Sequence, residues 1–165
     1  MKYCEKCGAE IMDEAVVCPK CGCSVKSATA EKPAIQLKTN RSLLKFILLS
    51  IITLGIYGIV VMSAVSTDIN TIAAKYDGKK TMHYCLVLFI FSWLTMGIVP
   101  LVWSHKISAR IGAELNRRGI NYSFGAGTFW GWGFFGTMIL VGPFIYYHKL
   151  LKSMNLLAAD FNQKG

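Results

Sequence analysis

The sequence predicts two parts: a small metal-binding module of β-hairpin knuckles, and an all-α membrane domain of three tandem repeats of 42–43 residues. Three observations lead to this prediction. Two C-x2-C-G motifs lie in the first 23 residues, three long windows contain no Asp, Glu, Lys or Arg, and a short string recurs in these windows at a constant offset. We therefore expect a metal module at residues 1–23, a flexible linker at 24–41 and a membrane domain at 42–162.

The composition supports a membrane domain. Apolar residues make up 53% of the chain and charged residues 16%, whereas a typical soluble domain carries about 25% charged residues. The mean hydropathy of +0.42 also excludes a disordered chain. The net charge of +9 comes from basic residues that punctuate the apolar runs and do not form a stripe. This pattern favours a bilayer with anionic headgroups as the partner and disfavours nucleic acid.

The first part contains two copies of the motif C-x2-C-G, with ten residues between the two cysteine pairs. The two-residue spacer points both sulfurs of a pair at one ion, and Gly8 and Gly22 permit the positive φ that such a knuckle needs. Four thiolates suit the tetrahedral coordination of Zn2+. The sequence thus predicts one bound zinc ion, with Ile11, Val16 and Val17 as the apolar filling. The predicted ligands are Cys4, Cys7, Cys18 and Cys21.

This zinc is expected to be structural. A segment of 23 residues cannot bury a useful core, so metal binding must supply most of its folding free energy, roughly 10 kcal/mol or more. Four cysteine ligands leave no coordination position open for a catalytic water. Redox pairs and disulfides remain as alternatives, the latter only for an exported terminus. We expect Cys23 to be a spare thiol and Cys85, inside an apolar run, to serve in packing.

Residues 1–23 resemble the short zinc-ribbon domains found at the start of many bacterial membrane proteins. The resemblance rests on the four predicted ligands and the glycine after each pair. It implies that these cysteines hold zinc, and it implies no particular activity, because such modules serve as docking domains in proteins of different function.

Three windows without acidic residues, lysine or arginine follow, at residues 46–67, 81–105 and 119–148. Each exceeds the 18 or so residues that mark a candidate membrane span. No apolar leader segment precedes them, so we expect a multi-pass protein of the cell membrane with a cytoplasmic amino terminus. The predicted apolar helical segments are about 43–67, 83–105 and 126–148.

The three windows align with one another. Thr53 corresponds to Thr95 at an offset of 42, and Thr137 follows after another 42 residues. Towards the ends of the windows the offset becomes 43, as between His105 and His148. A period sustained over three copies predicts repeated units, each an apolar helix, a break and an amphipathic tail. The predicted break residues are Thr53, Gly55, Gly58, Thr95, Gly97, Pro100, Thr137 and Pro143.

Each predicted tail carries one apolar stripe at steps of three and four residues. Two arrangements are open: the tails lie along the membrane surface, or they pack together as a three-helix cap. The stripes are Val65, Ile69, Ile72, Ala73 and Tyr76; Ile107, Ile111 and Leu115; and Leu150, Met154, Leu157, Ala158 and Phe161.

The topology is open between three kinked spans and three re-entrant hairpins. All three segments that follow the windows are basic, so the positive-inside rule places each of them in the cytosol, as re-entrant hairpins would. The pieces before the breaks, however, are only about 13 residues or roughly 20 Å long, short of a hydrocarbon core of ~30 Å. We expect three kinked spans by a narrow margin.

The body resembles the bacterial membrane family called domain of unknown function 4234. The residues that carry the resemblance are Arg41-Ser42, the string Ile52 to Gly58, and Asp68-Ile69-Asn70. The resemblance covers about residues 38–162 and implies a membrane location without an activity.

No catalytic constellation is visible in the sequence, so we expect no enzyme activity. Two functions remain open. The first is a non-enzymatic adaptor or regulatory protein, whose cytosolic zinc ribbon docks a protein partner while the body anchors in the bilayer. The second is a small transporter or channel subunit, in which broken helices from several copies line a path. Few polar groups lie within the apolar windows, which favours the adaptor.

Overall fold

A computed structural model of the chain describes residues 2–4, 6–12, 18–23 and 35–165. The chain divides into two compact units, with the boundary between Glu31 and Lys32. Val16, Val17 and most of the predicted linker lie outside the described residues.

The first unit contains a two-stranded antiparallel sheet, β1 (Lys2–Tyr3) and β2 (Glu10–Ile11). The turn between the strands contains the first cysteine pair. Ile11 is buried against Cys4 and Cys18, as expected for a residue that fills the module. Among the described residues of this unit, few side chains are buried, and they form only a small core.

The second unit is helical, and its helices form three hairpins, each with a short and a long arm. Hairpin 1 consists of α1 (Leu43–Ile52) and α2 (Ile56–Asp77). The short arm of hairpin 2 is α3 (Tyr84–Leu86), a π-helical turn (Val87–Phe91) and α4 (Ser92–Leu94); its long arm is α5 (Ile98–Arg117). The short arm of hairpin 3 is α6 (Ala126–Thr128), a π-helical turn (Phe129–Phe134) and a 3-10 helix (Phe135–Ile139); its long arm is α7 (Gly142–Lys164).

The long arms α2, α5 and α7 pack against one another and run in the same direction. Their carboxyl-terminal ends meet: the Arg117 guanidinium lies 3.6 Å from the centre of the Tyr76 ring, and Arg118 is paired with Asp160. At 1.5 Å per residue, helices of 20 to 23 residues are about 30–34 Å long. The three hairpin turns therefore lie at the opposite end of the bundle. We call these two ends the charged end and the turn end.

The predicted apolar stripes face one another inside this bundle. Val65, Ile107 and Leu150 are fully buried, and most of the other stripe residues belong to the same core cluster. The three-helix cap is therefore the arrangement that forms. The alternative, in which the stripes lie along a membrane surface, is wrong, because their apolar side chains are already covered by protein.

The segment before α1 is held by the last helix, so the predicted flexible linker extends too far. The side chain of Asn162 forms two hydrogen bonds of 2.8 Å with the backbone of Leu37. Asn155 does the same at Arg41, with distances of 2.7 and 3.0 Å. Side-chain amides separated from their partners by more than a hundred residues cannot be recognised from local sequence.

Among the described residues, one helix is long and apolar enough to cross a membrane, namely Ile56–Asp77 with a mean hydropathy of 1.4 over its most apolar part. A buried core helix would pass the same test, but only 33% of that part is buried. This is weak support for a membrane location. All three predicted spans are divided into shorter helices by their breaks, so the multi-pass topology stays a prediction.

Candidate functional site

The four predicted zinc ligands come together in the first unit. The sulfurs of Cys4, Cys7, Cys18 and Cys21 all lie within 4.8 Å of one another. The Cys4–Cys21 and Cys7–Cys18 sulfur distances are 3.7 and 3.6 Å. A zinc tetrahedron with bonds of about 2.3 Å has edges of about 3.8 Å, whereas a disulfide bond is about 2.05 Å long. The cluster therefore fits one structural zinc ion.

The two cysteine pairs have the same backbone geometry, which explains why both pairs are followed by glycine. The Gly8 N–H donates to the Cys4 carbonyl at 2.8 Å, and the Gly22 N–H donates to the Cys18 carbonyl at 2.9 Å. The two glycines have φ values of 68° and 66°, in the left-handed region that favours glycine. Each knuckle is thus closed by one turn hydrogen bond.

Backbone amides also point at the sulfurs. Hydrogen bonds from the N–H groups of Lys6 and Cys7 hold the pKa of the Cys4 thiol below its ordinary value. A hydrogen bond from the Cys23 N–H does the same for Cys21. Such donors stabilise thiolates, the form that binds zinc.

The two remaining cysteines are outside this cluster. The Cys23 sulfur lies 3.7 Å from the backbone carbonyl of Cys21 and is not among the four converging ligands. Cys85 belongs to the helical unit, where its sulfur lies 3.2 Å from the Ser63 hydroxyl. Both positions agree with the expectation that neither cysteine is needed for zinc.

The break residues of hairpins 1 and 2 have a shared geometry. Thr53 donates its hydroxyl to the Leu49 carbonyl at 2.7 Å and accepts the Tyr57 N–H at 2.9 Å. Thr95 does the same with Phe91 and Val99, at 2.6 and 3.1 Å. One threonine therefore caps the end of the short arm and the start of the long arm, which explains why threonine precedes the turn.

The other predicted break residues divide into three groups. Gly55 and Gly97 form the turns, with φ values of 92° and 87°. Gly58, Pro100 and Pro143 lie inside the first turns of the long arms and break nothing. Proline in the first turn is tolerated because the backbone N–H groups there have no helical partner. Thr137 precedes the third turn and donates its hydroxyl to the Phe134 carbonyl.

Large apolar side chains occupy the hairpin turns and point outward. Leu54 is 94% exposed, Met96 95% and Met138 86%. Leu54, Met96 and Leu140 also have positive φ, an uncommon conformation for any residue except glycine. Glycine or asparagine would fit these turns at lower cost, so the apolar side chain is the feature that needs explanation. Further exposed apolar residues of the turn end are Ile51, Ile52, Ile56, Trp93, Leu94, Ile98, Ile139 and Val141.

The charged end holds a network of ion pairs. Glu114 accepts hydrogen bonds from Arg117 and Arg118, and Arg118 also pairs with Asp160, which binds Lys164. Burial raises the pKa of the Glu114 carboxyl, but the two guanidinium groups outweigh burial and hold that pKa below its ordinary value. The pairs of Glu114 with Arg117 and Arg118, and of Asp160 with Lys164, follow the i,i+3 and i,i+4 spacing of the sequence. Only the pair between Arg118 and Asp160, which joins two hairpins, had no local signal.

Comparison with protein families finds one match in each unit. Residues 3–25 match the model of the zinc-ribbon domain, and residues 41–113 match the model of the Domain of unknown function (DUF4234). A segment similar to a zinc ribbon is therefore followed along the chain by a segment similar to DUF4234. The DUF4234 match is shorter than the expected range of 38–162 and covers hairpin 1 and most of hairpin 2. No match was found among curated proteins or among solved structures.

Proposed function

We propose that this protein is a non-enzymatic membrane adaptor, in which the DUF4234 domain anchors the chain in one leaflet and the zinc ribbon docks a protein partner. The observation that carries the proposal is the row of outward-pointing apolar side chains at the three hairpin turns, represented by Leu54, Met96 and Leu140. Exposed apolar surface of this extent marks an interaction site, and water would be an unfavourable neighbour for it.

The anchor is proposed to be built from three tandem repeats of 42–43 residues. One kind of contact, made three times, supports the repeat in particular. At positions related by offsets of 42 and 43, each long arm contacts the backbone just before a neighbouring hairpin. Asn70 forms two hydrogen bonds with Thr81. The backbone at Gly112 packs closely against the backbone at Phe124: a Cβ atom added at Gly112 would lie 2.4 Å from the Phe124 carbonyl oxygen.

Asn155 completes the set through its two hydrogen bonds with Arg41. Hairpin 1 thus contacts the segment before hairpin 2. Hairpin 2 contacts the segment before hairpin 3, and hairpin 3 contacts the segment before hairpin 1. This cyclic order is what a closed ring of three equivalent units requires.

The dimensions favour insertion into one leaflet. The short arm α1 has 10 residues and is therefore about 15 Å long, half of a hydrocarbon core of ~30 Å. Lys45 lies eight residues before the first turn, and Lys106 eight residues after the start of α5. If the turns lie near the bilayer centre, these lysines lie about 12 Å away from it along the helices, within reach of the headgroups.

The common direction of the long arms supports re-entrant hairpins. Their carboxyl-terminal ends meet in an ion-pair network that includes Glu114, Arg118 and Asp160. Three kinked spans would place consecutive tails on opposite sides of the membrane and would separate these partners. In the re-entrant topology all three tails and the zinc ribbon lie on the cytoplasmic side, where basic residues are favoured.

The zinc ribbon is proposed as the docking module. It is held by metal, and among its described residues the buried core is small and two large apolar side chains, Tyr3 and Met12, are exposed. Neither contributes to the zinc site. A rigid module that displays exposed aromatic and methionine side chains is suited to binding another protein.

Transport is a weaker proposal for a single chain. The interior between the long arms is filled at Ile69, Ile111 and Met154, which are fully buried. A path for a polar solute needs polar groups or space in the membrane, and this apolar packing provides neither. A path could then form only between chains of a homo-oligomer.

The test is membrane association combined with labelling of the topology. Wild-type protein should stay in the membrane pellet after carbonate washing, and Met96→Asp should shift it toward the supernatant. Gln163→Asp, which adds the same charge near the charged end, should have no effect. Lys80→Cys and Lys164→Cys are made separately in a chain that lacks Cys23 and Cys85 and keeps the four zinc ligands, and this parent chain is the reference for background labelling. Each introduced cysteine should resist an impermeant reagent in intact cells and react after lysis. Labelling of either from outside would contradict the re-entrant topology, and a soluble wild-type protein would contradict the anchor.

A further inference from the structure

Two clefts in the helical unit lie at corresponding places in hairpins 1 and 2. Each is formed between the segment that leads into the hairpin and the first half of its long arm. The cleft of hairpin 1 has a volume of about 420 Å3 and that of hairpin 2 about 840 Å3. Six lining positions correspond at the repeat offset of 42, among them Tyr57 with Val99, Val60 with Val102, and Val61 with Trp103.

The cleft of hairpin 2 is basic at one end and apolar at the other. Lys79, Lys80 and Lys106 line the basic end, whereas Val99 and Val102 line the end nearer the turn. The three lysines are exposed. This arrangement offers positive charge at the headgroup level and an apolar wall below it.

The arginine of this cleft is fully used within the protein. All five N–H donors of Arg110 are engaged: they bond to Asp77, Asn70, Thr81 and the Lys79 carbonyl. The Asp77 carboxylate balances its charge, and hydrogen bonds from Arg110 hold the pKa of that carboxyl below its ordinary value. The net charge available to a ligand therefore comes from the three lysines.

The cleft of hairpin 1 repeats the same chemistry with different residues. Lys38 and Lys45 line its basic end, and Phe46 and Val60 line its apolar wall. Arg41 is paired with Asp68 and also donates to the Lys38 carbonyl, so it too is engaged within the protein. Two clefts that keep the same division of charge at corresponding places indicate one kind of ligand.

We propose that each cleft binds one anionic phospholipid, with its phosphate at the lysines and the upper part of an acyl chain along the apolar wall. The inference rests on the proposed insertion of the hairpin turns into one leaflet, which brings lysines such as Lys45 and Lys106 within reach of lipid phosphates. A lysine ammonium binds phosphate as a point charge, and each lysine near an anionic surface contributes attraction. Free phosphate would bind only at the basic end of each cleft and would leave the apolar wall of the cleft exposed.

The experiment measures phospholipid retained by the full chain. Protein is reconstituted into bilayers of equimolar phosphatidylcholine and phosphatidylglycerol, extracted in a mild non-ionic detergent and weighed by native mass spectrometry. We expect one retained phosphatidylglycerol for each cleft. Replacing Lys79, Lys80 and Lys106 by Ala should remove one of them, and replacing Lys38 and Lys45 by Ala should remove the other. The control variant Lys75→Ala/Lys152→Ala alters exposed lysines outside both clefts and should retain both lipids.

The outcomes separate this inference from the proposed function. If cleft variants retain as much phosphatidylglycerol as wild type, or the control variant loses as much as they do, the cleft assignment is wrong. Displacement of the lipid by inorganic phosphate would show a simple anion site and also overturn it. If the alanine variants fold poorly, glutamine variants at the same positions remove the charge and keep most of the side-chain length. Failure of wild-type protein to associate with vesicles of phosphatidylcholine alone would instead contradict the anchor.

Discussion

The carboxamide of Asn155 forms two hydrogen bonds with the backbone of Arg41, 114 residues earlier in the chain. One bond is accepted from the Arg41 N–H and the other is donated to its carbonyl. This contact fixes the last long arm to the segment before the first hairpin. Asn70 makes the same pair of bonds to Thr81.

Replacing Asn155 by Ala should lower the free energy of unfolding by about 1–3 kcal/mol, because two partly buried backbone groups lose their partner. Thermal unfolding in detergent, followed by circular dichroism, measures the effect. Asn116→Ala, at an exposed position of α5, should change little. Equal stability of Asn155→Ala and wild type would show that the two hydrogen bonds between Asn162 and Leu37 suffice to close the domain.

Replacing Cys4 and Cys7 by Ser should abolish the binding of zinc, because two of the four thiolates are lost. Elemental analysis of purified wild-type protein should give a stoichiometry near one zinc per chain. The variants Cys23→Ser and Cys85→Ser serve as controls and should keep full zinc. Membrane association should be unchanged in all of them, and full zinc in the double variant would mean that the ligand set is wrong.

Replacing Leu54, Met96 and Leu140 by Gly should separate stability from membrane binding. All three residues have positive φ, between 48° and 59°, so glycine relieves strain that costs roughly 1 kcal/mol at each position. Thermal stability in detergent should therefore not fall. Partitioning onto vesicles should decrease at least tenfold, because burial of each apolar side chain contributes roughly 1.5–3 kcal/mol.

Ile35→Gly is the matched control, since it removes an exposed apolar side chain from the segment that precedes α1. Its effect on vesicle partitioning should be small. Unchanged partitioning of the triple variant would show that the turns do not enter the bilayer.

Acid should destabilise the charged end. The pKa of the Glu114 carboxyl is held below its ordinary value of 4.5, and that of Asp160 below 3.8. Groups with lowered pKa stabilise the folded state above these ordinary values, and this contribution is lost as the pH falls toward the lowered pKa values. We therefore expect the midpoint of thermal unfolding to fall steadily between about pH 5 and pH 3.

Glu114→Gln tests the assignment. It removes the carboxylate shared by Arg117 and Arg118, but Arg118 keeps its pair with Asp160 and Arg117 is 39% exposed, so it should lower stability at pH 7 by about 1–3 kcal/mol and flatten the dependence on pH. Glu10→Gln, at an exposed position of the zinc ribbon, should do neither. If Glu114→Gln keeps the full wild-type dependence of the unfolding midpoint on pH, the group whose protonation destabilises the fold is not Glu114.

The residues that could be predicted from the sequence are those whose role depends on near neighbours in the chain. The four zinc ligands follow from a two-residue spacer and a glycine, because a knuckle closes within five residues. The stripe that includes Ile69 and the break at Thr53-Leu54-Gly55 follow from helical period and turn chemistry. Gly58, Pro100 and Pro143 were misplaced, since a glycine or proline tolerated in a first helical turn looks the same in sequence as one that ends a helix.

By itself, the sequence determined the metal module, the positions of the apolar stripes and the existence of helix breaks. Only the tertiary structure decided what each stripe faces, and it buries Ile69, Ile111 and Met154 in one core instead of against lipid. It also decided that the apolar residues of the turns are exposed, and that Asn155 closes the domain at Arg41. Local patterns report which face of a helix is apolar. The partner of that face depends on contacts between residues far apart in the chain, which no local pattern encodes.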